Sequence, residues 1–438
     1  MENSSDKEQI GLLSAIAIGI GGMVGGGIFA VLGLAVQLSK GGTMISFALA
    51  GLIALITAYS YSKLSITFPN RGGTVEYLNQ GFGTGIFSGS LNVLLWISYI
   101  VMLSLYAYAF GSYGSSFFPE STQLFWKHGF ITLSIVLFTL LNIFGSSLVG
   151  KSEEYIVAVK LLILLTFIGL GLSTVDTTAL APSTWSSPLQ LVAGGMIIFL
   201  AYEGFELIAN TSETIKNPTK NLPRSFYGSV AFVILLYILI AIVAVGNLPV
   251  SKIIEAKDYA LAAAAEPFMG QAGYTIIAIA ALLSTGSAIN ATLYGATKVS
   301  YIIAKDGELP AQLEKNIWNR PIEGLLISAV LTIIIANGFN ISSISTMGST
   351  GFLIIFAAVN WANFRLAHKT NSRKFLPVVG IIVCIGSLIT LIVYTWRQNP
   401  QTLWVLVVML ALSFAIEFTY RKVTGREIKP AFEIAEKE

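Results

Sequence analysis

The chain has 438 residues, 54% of them hydrophobic and only 11% charged, against roughly a quarter charged residues in a soluble protein. A mean hydropathy of +0.74 over the whole chain excludes an ordinary water-soluble enzyme. The net charge of +3, from 26 basic and 23 acidic residues, is too small to point to nucleic acid as a partner. The single cysteine, Cys384, excludes an intrachain disulfide or a cysteine-built zinc site, and His128 and His368 stand too far apart for a histidine metal centre. No cofactor is expected.

A helix that crosses a bilayer takes ~20 apolar residues. Apolar runs bounded by polar or Gly/Pro clusters predict an all-α, polytopic membrane protein. About twelve spans are expected near 11–36, 43–67, 84–115, 127–149, 153–174, 189–212, 225–246, 270–304, 322–340, 345–368, 375–396 and 401–420. Glu2, Asp6 and Glu8 make the start unlike a cleavable signal. Only Lys40, Lys127, Lys252, Lys257 and Arg397 fall on outer segments and only Lys160 within a span. The other basic residues, from Lys7 to Lys437, fall on the inner side, so both termini are expected in the cytoplasm. The outer connection Leu248–Gly270 reads as short helices capping one face.

The first span carries Gly19-Ile20-Gly21-Gly22-Met23-Val24-Gly25-Gly26-Gly27-Ile28-Phe29. Each glycine costs a helix about 1 kcal/mol relative to alanine, so the run favours an opened backbone in mid-membrane. Such a break is tolerated where it lines a cavity, and its free N–H groups suit a carboxylate. The alternative is a small-residue packing face, because Gly21/Gly25 and Gly22/Gly26 are four apart. A nucleotide fingerprint is excluded: Gly25-x-Gly27-x-x-Ala30 follows no strand.

In the fifth span Lys160 lies among aliphatic residues, Ala158-Val159-Lys160-Leu161-Leu162. Either it snorkels to the inner interface or it faces the bundle interior. There, a lysine that gains and loses a proton does the work of a coupling cation, bonding carbonyls of the broken first span and hydroxyls of the eighth. The sixth span carries Phe199-Leu200-Ala201-Tyr202-Glu203-Gly204-Phe205-Glu206. Its two carboxyl groups at membrane depth need water, a partner or a substrate, and the glycine between them is a second weak point. Weakened first and sixth spans fit a secondary transporter built as a 5+5 inverted repeat, 11–174 and 189–368. Two further helices follow over 375–420, with tails at 1–10 and 421–438. The eighth span offers Ser284-Thr285-Gly286-Ser287-Ala288-Ile289-Asn290, which is either helix–helix glue or a partner set for Lys160.

These motifs resemble those of the amino acid–polyamine–organocation (APC) superfamily. Gly19-x-Gly21-x-x-x-Gly25-x-Gly27-Ile28-Phe29 is similar to its first-helix motif, and Pro69-Asn70-Arg71-Gly72-Gly73 to its segment between helices two and three. Phe199–Glu206 with Glu213–Pro218 resembles its sixth helix and following loop, and Lys305-Asp306-Gly307-Glu308-Leu309-Pro310 its signature after helix eight. The resemblance implies a LeuT-type fold with twelve helices. It puts an amino acid's carboxylate at Gly25, Gly26 and Gly27 and its amino group near Gly22, Met23, Phe199 and Tyr202. A side-chain pocket would draw on Leu200, Glu203, Trp96, Tyr99, Leu103 and Asn290. Tyr155-Ile156-Val157-x-x-Lys160-Leu161 resembles sodium-independent permeases, which implies proton coupling through Lys160 with Ser287, Ser284 and the Gly21 carbonyl. Two departures stand out: Gly26 replaces a Ser or Thr, and Glu203 replaces an apolar residue, so substrate charge stays open. The expectation is a proton-coupled amino-acid carrier in the cell membrane that needs only its small-molecule substrate and lipid, with no obligatory protein partner. An exchanger of the same fold or a sodium symporter is the alternative. An intramembrane enzyme lacks the His, Cys or Asp to build its centre at membrane depth, and a channel lacks rings of like charge.

Overall fold

A computed structural model describes residues 9–70, 72–144, 146–305, 322–398 and 400–424. The signature at Asp306–Pro310, Arg71 and the outermost parts of both tails lie outside the described residues. Among the described residues the chain is all-helical. The first half contains α1 (Leu12–Met23), α2 (Gly27–Ser39), α3 (Thr43–Thr67), α4 (Thr74–Phe82), α5 (Ile86–Ser115), α6 (Glu120–Phe144) and α7 (Ser146–Gly171). The second half contains α8 (Pro188–Ile197), α9 (Pro218–Asn247), α10 (Val250–Ala256), α11 (Ala260–Lys305), α12 (Ile322–Gly338), α13 (Ile341–Arg365), α14 (Phe375–Gln398) and α15 (Pro400–Thr424).

Nine of the described helices are long and apolar enough to cross a membrane, or eleven when two bent pairs, α1 with α2 and α8 with the 3-10 segment after it, each count as one span. The ninth expected span, 322–340, is the 17-residue α12. At ~1.5 Å per residue it is about 25 Å long, at the short end of what crosses a ~30 Å hydrocarbon layer. Position α5 explains why its sequence shows no polar face: it packs against α6, α11, α12, α13 and α15, and is buried along nearly its whole length. By contrast α6, α14 and α15 expose Leu133, Leu137, Ile382, Ile389, Trp404 and Val408, the apolar surface that lipid covers. Cys384 on α14 is fully buried, with its sulfur 3.8 Å from the Thr57 hydroxyl of α3.

Both ends of the bundle are tied across. On one side, α10 and a 3-10 turn at Lys257–Tyr259 lie on α2. A Cβ on Gly33 would come within 2.0 Å of the Lys257 carbonyl oxygen, so only glycine lets the cap sit there. Asp258 of that turn accepts from Lys127 of α6 at 2.7 Å, and the same ammonium lies 3.7 Å from the centre of the Tyr108 ring. Elsewhere on the bundle Ile10 pairs with the chain after the sixth span, its N–H 2.8 Å from the Thr214 carbonyl and its carbonyl 2.9 Å from the Lys216 N–H. Asn70 and Ser212 join the loop before α4 to the same segment, the Asn70 N–H donating to the Ser212 hydroxyl at 3.1 Å.

Candidate functional site

The site is built from two interruptions that meet inside the bundle. The first lies at Val24–Gly26 between α1 and α2, whose axes bend by 47°. The second follows α8: Phe199–Tyr202 winds as a 3-10 turn, Glu203 is extended, and Gly204 takes φ +111°, a left-handed conformation that glycine alone adopts without strain. A further 3-10 turn, Phe205–Thr211, follows the weak point at Gly204 that the sequence suggested, and the segment after α8 runs at 50° to it. The breaks touch. A Cβ on Gly22 would lie 2.7 Å from the Gly204 carbonyl oxygen, and one on Gly27 would lie 2.8 Å from the Ala201 Cα. The glycines therefore serve a close backbone approach as well as the opening.

A helix end leaves backbone groups without partners, and in a dry interior each must be met. At the end of α1 the Ile20 carbonyl accepts from Val24 N–H and the Gly22 carbonyl from Gly25 N–H. The Gly21 carbonyl accepts from the Lys160 ammonium at 3.2 Å, and the Met23 carbonyl from the Tyr237 hydroxyl of α9 at 2.7 Å. The Ser284 hydroxyl of α11 lies 2.8 Å from the Val24 carbonyl and 2.5 Å from that of Gly25. At the second break the Ile197 carbonyl accepts from Ser345 at 2.6 Å and Ser349 at 2.8 Å, both on α13. Ser349 in turn accepts from Leu200 N–H at 3.2 Å, while Tyr237 also reaches the Ala201 carbonyl at 3.2 Å. Among the described residues no acceptor meets the N–H groups of Gly26 or Gly27, while that of Ile28 faces the Tyr237 hydroxyl. The opened carbonyls are served by the protein; the amides of Gly26 and Gly27 at the positive end of α2 are not.

Lys160 is 1% exposed, on the face of α7 opposite the exposed Tyr155. Glu203 and Glu206 are buried as well. Glu206 accepts from Gly204 N–H at 2.8 Å and from the Tyr99 hydroxyl at 3.3 Å. The Glu203 carboxyl lies against Glu206 and against the hydroxyl of Tyr106 on α5. The Tyr106 ring covers Gly26, where a Cβ would fall 2.2 Å from its Cδ1. A serine or threonine at position 26 would thus collide with Tyr106, which gives the glycine there a physical reason.

The remaining expected site residues divide. Leu200 packs on Gly348, Phe199 lies edge-on to Phe356, and Leu103 is core. Tyr202 turns its hydroxyl away to the Phe47 carbonyl at 2.8 Å, and Trp96 donates to Ser328 at 3.1 Å. Ser287 and Asn290 line a lateral cavity of about 510 Å³ beside Phe110 and Phe138 rather than the junction of the breaks. Asn290 accepts there from the Asn142 amide at 2.8 Å. Tyr106, Tyr237, Ser345 and Ser349 escaped the sequence reading. The hydroxyl-rich run Ser342-Ser343-Ile344-Ser345-Thr346-Met347-Gly348-Ser349-Thr350 carries the same signal that marked the eighth span.

The family model described as amino acid permease matches residues 10–416, nearly the whole chain and both breaks. The chain belongs to the amino acid permease family. An uncharacterized protein of Methanocaldococcus jannaschii is 36% identical over 422 residues, covering 96% of this permease and 97% of the relative. The inner membrane transport protein YbaT of Escherichia coli is 32% identical, covering 96% and 98%. The branched-chain amino acid permease BcaP of Lactococcus lactis subsp. cremoris is 26% identical, covering 92% of each chain. The permease is therefore a multi-pass membrane protein that carries amino acids or related solutes, and its kind are transporters rather than enzymes.

Proposed function

We propose that the permease takes up amino acids by alternating access in the cell membrane, coupled to protons and independent of sodium. The observation that carries this reading is the asymmetry at the first break. Among the described residues the amides of Gly26 and Gly27 are unclaimed at the positive end of α2, a setting made for a carboxylate, while the neighbouring carbonyls are held by Lys160, Tyr237 and Ser284. Lys160 stands where its ammonium bonds the broken helix directly. Charged, it fixes the Gly21 carbonyl with a charge-assisted bond; neutral, it holds that carbonyl more weakly. A proton that favours one arrangement of α1 over another is what biases a two-state carrier. The two breaks fall in the first and sixth spans, which supports an inverted repeat of five helices over 11–174 and 189–368. With that repeat both termini face the cytoplasm, and no partner subunit is required. A second reading, an exchanger, draws on the same burial, because a permanently charged Lys160 would serve as a fixed structural cation.

Purified protein in liposomes tests this. Uptake across an amino-acid panel is measured with an inward proton gradient, with sodium, and with counter-substrate inside. The expected result is gradient-driven uptake that ignores sodium and is lost in Lys160→Ala, with counterflow retained. Uptake that needs sodium and ignores pH overturns the coupling, and uptake that needs only counter-substrate selects the exchanger.

A further inference from the structure

Where α5, α13, α14 and α15 meet, a crevice of about 260 Å³ opens on the flank of the bundle. Its walls include Phe87 and Leu94 of α5, Ile354 and Trp361 of α13, Ile385 of α14 and Phe414 of α15, and of these Phe87, Trp361, Ile385 and Phe414 are exposed. An apolar cavity of roughly 150 Å³ already takes a benzene-sized guest, so this one has room for a stretch of acyl chain. On its wall the Ser90 hydroxyl is 1% exposed and has no hydrogen-bond partner among the described residues.

One end of the crevice is basic. Phe82, Phe87 and Trp361 cluster there, with ring centroids 5.0, 5.1 and 6.0 Å apart, and tryptophan is a residue that gathers where hydrocarbon gives way to headgroups. Arg365, one turn beyond Trp361 on α13, lies 5.4 Å from the centre of the Phe82 ring and pairs with no carboxylate among the described residues. Arg421, near the end of α15, donates to the Thr84 carbonyl at 2.9 Å and to Glu417 at 3.1 Å. Those bonds take two of the guanidinium's five hydrogens, and the Glu417 carboxyl itself is buried against Gly89. Both arginines thus hold the same short connection, 82–87, that leads into α5. Space is open beside it, since a Cβ on Gly83 or Gly85 would meet nothing within 4 Å. The amides of Ile86, Phe87 and Ser88 begin the 30-residue α5 and have no acceptor among the described residues, so the positive end of that helix faces the same place.

We propose that this crevice binds one anionic phospholipid, with an acyl chain between α5, α13, α14 and α15 and the phosphate at Arg365, Arg421 and the first amides of α5. Guanidinium forks and a helix N-terminus both suit phosphate oxygens. A second copy of the chain fits less well, because a two-fold axis along the membrane normal would set one basic end beside the other.

The test uses the full chain, purified in mild detergent and freed of lipid, and reads by native mass spectrometry the fraction that carries one added lipid. Phosphatidylglycerol and phosphatidylcholine with the same acyl chains are compared, and phosphatidylglycerol is expected to bind more tightly. Arg365→Gln is expected to lower its affinity about fivefold, the scale of one cation at an anionic membrane surface, and to leave phosphatidylcholine unchanged. Ala357→Phe, which fills the crevice and keeps its charges, is expected to weaken both lipids. Lys252→Gln, on α10 and outside the crevice, is expected to change neither. If the phenylalanine variant fails to fold, Arg365→Gln carries the test, because that side chain is exposed. Equal affinity for the two lipids overturns the proposal, as does an Arg365→Gln protein that keeps the wild-type preference. A loss as large in Lys252→Gln overturns it by marking a diffuse electrostatic effect. Lipid-free protein that runs as a dimer and becomes a monomer in Ala357→Phe overturns it in favour of a second copy in the crevice.

Discussion

Replacing Tyr237 by phenylalanine removes one oxygen and leaves the ring where it is, packed against Phe47 at 5.6 Å and Tyr202 at 5.2 Å between centroids. That oxygen lies 2.7 Å from the Met23 carbonyl and 3.2 Å from the Ala201 carbonyl, so one hydroxyl joins the two breaks. It carries a single hydrogen and is fully buried. The loss is therefore one hydrogen bond plus a carbonyl left dry, a cost of about 1–3 kcal/mol. At about 1.4 kcal/mol per factor of ten, this corresponds to ~5- to 140-fold in an equilibrium constant. Because both carbonyls belong to the interrupted segments, the cost falls on the arrangement that binds substrate. Binding of the best amino acid by scintillation proximity, paired with a thermal melt in detergent, reads both consequences. Tyr237→Phe should weaken affinity within that range and lower the melting midpoint, and Tyr237→Leu should lower the midpoint further through the lost ring contacts. If the phenylalanine variant matches wild type in both measurements, the hydroxyl is idle and the group-by-group account of the breaks is wrong.

Two further outcomes follow from other contacts. Ser349→Ala should cost more than Ser345→Ala, by about 1 kcal/mol or more, because Ser349 serves both the Ile197 carbonyl and the Leu200 N–H while Ser345 duplicates one of these bonds. Melting midpoints of the two variants side by side check this, and equal midpoints would refute it. Lys127→Met and Asp258→Asn should each destabilise the protein modestly, by roughly 1 kcal/mol, since the pair keeps 16% and 17% side-chain exposure. The double variant should be little worse than either single one, and the single-variant penalties should shrink in high salt. Additive losses would show that the two residues do not act as a pair.

The glycine run and the Glu-Gly-Phe-Glu segment announced both interruptions, because no apolar helix has a use for six glycines or two carboxyl groups at its centre. Hydropathy located the spans, and the one addition was geometric: α12 is shorter than the run that suggested it. What sequence did not disclose is which groups meet the opened backbone. Tyr237 is one of 17 tyrosines in an apolar chain, and nothing local separates it from the core tyrosines at 61, 77 or 113. Its role depends on α9 crossing both breaks, a fact of topology rather than pattern. Asn290 shows the converse: a polar residue at the right depth on the eighth span, turned by helical phase toward Asn142 and the lateral cavity. The fit between Gly26 and Tyr106 joins residues 80 positions apart and could be seen only once α5 lay beside α2.

Cys384 lends the molecule an experimental convenience. The chain's one thiol is sealed between α14 and Thr57, where burial keeps maleimide and methanethiosulfonate reagents away. A cysteine placed on the cap beside Lys257, and another on the segment that pairs with Ile10, would carry fluorophores or spin labels without first stripping the native protein of thiols. Distances between such labels, followed as substrate is added, would time the opening of one side against the closing of the other.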